Sequence, residues 1–86
     1  MELSEVMRVV GKLANEEAGL YAVQRWLREE KHCNIEIAVC PAPISIWIFV
    51  WSVSYGADIH YSHRCNYGTY ELALEDALKY ALENLV

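Results

Sequence analysis

Hydrophobic positions along this chain follow a helical period, switch to a strand period, and then return to a helical one. Leu3, Val6, Met7, Val10 and Leu13 or Ala14 recur at three- and four-residue spacing, which predicts a helix over about residues 3–14. Ser4 is placed to cap it, and Gly11 is its weak point. Asn15-Glu16-Glu17 then restarts the pattern, a capping residue followed by acids in a first turn. Between Glu16 and Glu30, Leu20, Val23, Trp26 and Leu27 with Ala18, Tyr21 and Ala22 give a broad apolar face. Arg25, Arg28, Glu29 and Glu30 lie mainly away from it. The two segments form one bent helix or two, and Gly19 leaves both open, so residues 1–14 stand as a separable N-terminal helix.

After Lys31-His32-Cys33-Asn34 the period drops to two. Ile35, Ile37 and Val39 alternate with Glu36, Ala38 and Cys40, and Pro41-Ala42-Pro43 ends that strand. From Ile44 to Val53 the next strand is apolar on both sides. Ile44, Ile46, Ile48 and Val50 form an aliphatic face, and Trp47, Phe49, Trp51 and Val53 an aromatic one. Tyr55-Gly56-Ala57-Asp58 is a turn. A weaker third strand follows, with Ile59, Tyr61 and His63 alternating with His60, Ser62 and Arg64. Asn66-Tyr67-Gly68 breaks it. Thr69 caps a last helix to about Asn84, whose buried side is Tyr70, Ala73, Leu74, Ala77, Leu78, Ala81, Leu82 and Leu85.

This order predicts an α+β fold: an N-terminal helix or helices, a three-stranded antiparallel meander and a C-terminal helix, α-β-β-β-α. Both helical segments are expected on one sheet face, against Ile35/Ile37/Val39, Ile46/Ile48/Val50 and Ile59/Tyr61. The opposite face would then carry Glu36, Ala38 and Cys40, the stripe Trp47/Phe49/Trp51 with Val53, and His60 with Ser62. Eighty-six residues without repeats or a linker read as a single domain, 1–86, near the size at which one core is only just sufficient.

Composition sharpens the question of that second face. The chain is 55% hydrophobic with ten aromatic residues, so it has more apolar surface than so small a domain readily hides. Trp47, Phe49, Trp51 and Val53, flanked by Ala38 and Cys40, are therefore the expected interaction surface. Its simplest occupant is a second copy, giving a homodimer, and a host or phage protein is another. A different class of function is a nucleic-acid-binding module that stacks bases on the same aromatics and holds phosphates with Arg25, Arg28, Lys31 or Arg64. The net charge of −5, and the Glu29 and Glu30 interleaved among those cations, disfavour that alternative. A third reading makes the stripe ordinary core, covered by the helix of residues 1–14.

The uncharged run from Ile37 to Ala57 is 21 residues long, enough for a bilayer. Pro41 and Pro43 would break a helix near its start, and the flanks carry no basic bias, so no membrane span is expected. Three cysteines, Cys33, Cys40 and Cys65, have no paired spacing. With no basic and apolar leader pattern at Met1-Glu2-Leu3-Ser4-Glu5, a reducing cytoplasm is the expected setting. His60-Tyr61-Ser62-His63-Arg64-Cys65 offers zinc-type ligands, but His63 and Cys65 would face away from His60 and no fourth ligand is evident, so no metal is expected. No spacing assembles a nucleophile with a base, and Gly11, Gly19, Gly56 and Gly68 are isolated rather than a phosphate loop. No catalytic activity and no cofactor are expected.

Two stretches carry a resemblance. Ala22-Val23-Gln24-Arg25-Trp26-Leu27-Arg28-Glu29-Glu30-Lys31 resembles the QxWLRE helix of small uncharacterised proteins of gut Bacteroides-type bacteria and their phages. Gly68-Thr69-Tyr70-Glu71-Leu72-Ala73-Leu74-Glu75-Asp76-Ala77-Leu78-Lys79-Tyr80-Ala81-Leu82-Glu83-Asn84-Leu85 is similar to the TYEEALEAAIKYCLENL helix that closes those proteins. The resemblance implies a mobile-element origin and carries over no functional residue. The closing helix is also similar to that of HicB-type antitoxin domains. The element order is that of double-stranded RNA-binding domains, whose lysine-rich entry to the last helix is replaced here by Tyr67-Gly68-Thr69-Tyr70-Glu71.

Overall fold

A computed structural model describes residues 2–14, 19–40, 48–62 and 67–86. The fold is α+β: helices α1 (Leu3–Ala14) and α2 (Leu20–Glu30), strands β1 (Cys33–Cys40), β2 (Ile48–Tyr55) and β3 (Asp58–Tyr61), and helix α3 (Tyr70–Asn84). The strands form an antiparallel sheet in the order β1-β2-β3, the meander that the short connections predict. The N-terminal half thus holds two helices, the second entered through Gly19 in an extended conformation. Among the described residues, no helix is long and apolar enough to cross a membrane.

Local chemistry fixes the element ends. The β2–β3 hairpin turns on Gly56 at φ 63°, followed by Ala57, which stays on the negative side. Glycine at the first of two central positions is what a type II′ hairpin loop needs. At the end of α2, Lys31 donates its N–H to the Leu27 carbonyl, and His32 takes the left-handed conformation at φ 52°. That residue reverses the chain out of the helix and into β1. Thr69 caps α3 as its spacing predicts, its hydroxyl oxygen accepting from the Leu72 N–H at 3.1 Å.

The core lies between the sheet and two helices. α3 supplies Ala73, Leu74, Ala77, Leu78, Ala81 and Leu82, and α2 supplies Ala22, Val23 and Leu27. Alanines at 73, 77 and 81 lie at i+4 spacing, so α3 lies close against both β1 and β2. α2 covers β1. Helix α1 touches α2 and α3 and no strand among the described residues; it buries Leu3, Val6 and Val10 against the other helices. The helices therefore form two tiers, with α1 outermost.

The register overturns one expectation. Ile35 stands opposite Val53, Ile37 opposite Trp51, and Val39 opposite Phe49. Directly paired residues share a face, so the aromatic side of β2, not its aliphatic side, joins Ile35 and Ile37 beneath the helices. Val50 lies on the helix-free side, as do Ile59 and Tyr61, which are 55% and 67% exposed. A slip of one position exchanges the two faces of a strand, and here the larger apolar set wins the interior. Ile44, Ile46 and Trp47 lie outside the described residues.

Two substitutions test this packing. Leu78→Ala, at a side chain with no exposed surface, should cost about 2–5 kcal/mol in urea unfolding. Thr69→Ala removes only the cap and should cost about 1 kcal/mol by the same measurement.

Candidate functional site

The expected interaction surface divides between the two sides of the sheet. Trp51 is 4% exposed and Val53 fully buried, so both belong to the core of one subunit. Phe49 is half-buried, its ring edge-on to Tyr70 at 6.3 Å. These three residues are withdrawn as a free surface, because α3 closes over the sheet face that carries them. The covering element is α3 rather than the helix of residues 1–14. Ala38 is exposed, on the helix-free side. Cys40 ends β1, and Trp47 lies outside the described residues.

Trp51 is held by a polar network that the sequence reading did not foresee. Its indole N–H donates to Asp76 Oδ2 at 3.1 Å and lies 3.3 Å from the Tyr67 hydroxyl. The Tyr67 hydroxyl donates to the same carboxylate oxygen. The Tyr67 carbonyl in turn accepts the Phe49 N–H at 3.1 Å, so the chain entering α3 is tied to β2. One helical turn beyond Asp76, Tyr80 packs on the indole with ring centroids 5.1 Å apart. Its hydroxyl hydrogen bonds with His60 Nδ1 at 3.1 Å. Asp76 and Tyr80 are four residues apart on α3, which aims both at the same strand.

This constellation has a carboxylate, two phenols and an imidazole, yet its polar groups are turned on each other. Among the described residues, no buried side-chain nitrogen or oxygen lacks a hydrogen-bond partner. A hydrogen-bonded network of this kind orients its members and fixes the Trp51 ring against α3. The signal for it was available: a buried indole needs an acceptor, and α3 carries an acid on the flank of its apolar stripe.

Other candidate chemistry is dispersed. An open cavity of about 410 Å³ lies between the start of α1 and α3, lined by Glu2, Leu3, Ser4, Met7, Glu75, Lys79 and Glu83. Ser4 is its one hydroxyl, no histidine or cysteine lines it, and Lys79 is bound to Glu75 at 3.3 Å. Among the described residues, no three His, Cys, Asp or Glu side chains group as a metal would require. Cys33 is a free thiol inside the core, and burial pushes its pKa up. His63, Arg64 and Cys65 lie outside the described residues. Arg25 and Arg28 are exposed on α2 and Lys31 at its C-cap, with the Lys31 ammonium 5.5 Å from the centre of the Trp26 ring. They stand on the helical side of the molecule, and the Trp51 ring that would have stacked bases is enclosed.

What remains open is the helix-free side of the sheet: Asn34, Glu36, Ala38, Val50, Ser52, Ser54, Ile59 and Tyr61. Glu36 is its one charge among the described residues, and Asn34 Nδ2 donates to it at 3.4 Å. Comparison with protein-family models, with curated proteins and with solved structures gives no match.

The network and the thiol each give a measurable consequence. Asp76→Ala leaves the indole and phenol donors without their acceptor and should destabilise by about 1–3 kcal/mol, with a red shift in tryptophan emission. Cys33 should resist alkylation in the folded protein and react once denatured, read as the mass of its own peptide.

Proposed function

We propose that this chain is a non-catalytic protein-interaction module that self-associates through its sheet, serving as an accessory protein of a phage or mobile element in the cytoplasm. The observation that carries this reading is a sheet that, among the described residues, is clothed by helices on one side, with Ile59 and Tyr61 exposed on the other. Tyrosine and aliphatic side chains with few charges are what the central part of a protein interface uses. A net charge of −5 keeps copies apart elsewhere, but the helix-free face carries little of it.

Support for the non-catalytic part comes from the part-buried network, whose acid, phenols and imidazole are engaged in hydrogen bonds with neighbouring side chains, and from the open cavity, whose lining holds no histidine or cysteine. The mobile-element part is supported by the resemblance of the sequences of α2 and α3. A free thiol in the core at Cys33 suits a reducing compartment.

Sedimentation velocity with light scattering, over a wide range of protein concentration, tests the reading. The expected result is a reversible monomer–dimer equilibrium. Arg28→Ala and Lys79→Ala, on the exposed faces of α2 and α3, should leave that equilibrium unmoved. A chain that stays monomeric at the highest attainable concentration overturns self-association.

A further inference from the structure

The sheet offers two kinds of surface to a second copy, its helix-free face and its outer edges, and the backbone distinguishes them. In β2 the Phe49 N–H bonds to Tyr67, and the Trp51 carbonyl accepts from the Ser62 N–H. The odd-numbered residues of β2 therefore direct their backbone groups toward β3. Its even-numbered residues bond to β1, whose partners are Asn34, Glu36, Ala38 and Cys40. By the same alternation, Cys33, Ile35, Ile37 and Val39 point their N–H and C=O groups out of the sheet. α2 covers the first part of this edge: the Gln24 side chain donates to the Ile35 carbonyl at 3.0 Å. Beyond it, Ile37 and Val39 present unpaired backbone groups among the described residues, on an eight-residue strand with one charge. β3, the opposite edge, has four residues.

We infer that two copies join edge to edge, β1 against β1, in an antiparallel pairing centred on Ala38; this rests on the self-association proposed above and names its geometry. An antiparallel edge is self-complementary under a two-fold axis, so identical strands satisfy each other's groups. With the axis at Ala38, Ile37 faces Val39 of the second copy and Val39 faces its Ile37. The N–H and C=O of both residues are then bonded, four hydrogen bonds in all. Ala38 meets its own copy at the closely spaced, non-hydrogen-bonded position, where a methyl group fits. The two Glu36 carboxylates fall about 13 Å apart along the strands, at four residue steps, beyond about one screening length. The Ile35 carbonyl that Gln24 caps lies outside the paired stretch of residues 37–39. The product is one six-stranded sheet with the two helix-free faces merged into a single surface. An edge strand with unpaired backbone groups and few charges is the part of a sheet most disposed to such pairing.

Proline separates edge from face. Val39→Pro removes an N–H that points out of the sheet and leaves the β1–β2 ladder complete, at a side chain already 45% exposed. Ile59→Ser/Tyr61→Ser alters the helix-free face at the far edge. The expected result by sedimentation is a dimer dissociation constant raised at least about tenfold by Val39→Pro, raised less than that by the double serine variant, and unmoved by the Arg28→Ala control. Dimerisation intact in Val39→Pro and lost in the serine variant overturns the edge pairing while self-association stands; a monomeric wild type overturns both. Amide exchange on the wild type decides the matter if Val39→Pro does not fold. The Ile37 and Val39 amides should become protected as concentration rises, while Ala38, bonded to β2, is protected throughout. Free exchange at Ile37 and Val39 in a sample known to be dimeric refutes the pairing.

Discussion

The enclosure of the Trp51 indole is the constraint on which the rest of this structure depends. A ring of that size is worth several kcal/mol when taken out of water, at about 25 cal/mol per Å². Its N–H would cost much of that gain if left unpaired. Asp76 and Tyr67 meet the N–H, and Tyr80 packs on the ring, so the chain collects the apolar gain without the polar loss. Once Trp51 faces α3, alternation places Phe49 and Val53 beside it and turns Val50, Ser52 and Ser54 to the other side. The pairing register, the covered face and the exposed face follow from one ring.

The two polar aromatic contacts divide the labour along α3. Near its start, Tyr67 ties the approach to the helix onto β2 through the Phe49 amide and joins the Asp76 carboxylate. Nearly three turns into the helix, Tyr80 spans from Trp51 to His60 on β3. α3 is thereby pinned across the sheet at two heights by directional contacts, and the alanines and leucines between them need only be the right size.

Much of the architecture was legible in the chain. The shift from a helical to a strand period after Lys31, the prolines after Cys40, Gly56 in a tight hairpin and Thr69 before a run of Ala and Leu each mark an element that the structure contains. The face of β2 was not legible from periodicity, because both of its sides are apolar and alternation does not say which is inside. A quieter signal was present: Ser52 and Ser54 share the side of Val50, and two hydroxyls there mark it as the wetter one. The network around Trp51 joins residues 16 and 25 positions apart in sequence, so no local spacing announces it. Its periodicity makes the N-terminal helix a candidate cover for the aromatic stripe, yet it rests on other helices, which pattern alone does not distinguish.

That arrangement of α1 has a consequence for how the molecule loosens. Leu3, Val6 and Val10 lean on α2 and α3, while the sheet and its indole are shut in by those two helices without help from the first. Detaching α1 bares a modest apolar seam and breaks no strand pairing, whereas lifting α3 opens everything. Cooperative units of a domain release in order of the surface they guard. The amino-terminal segment is thus the shallowest rung of the unfolding ladder, and the strands with their closing helix form the last unit to let go.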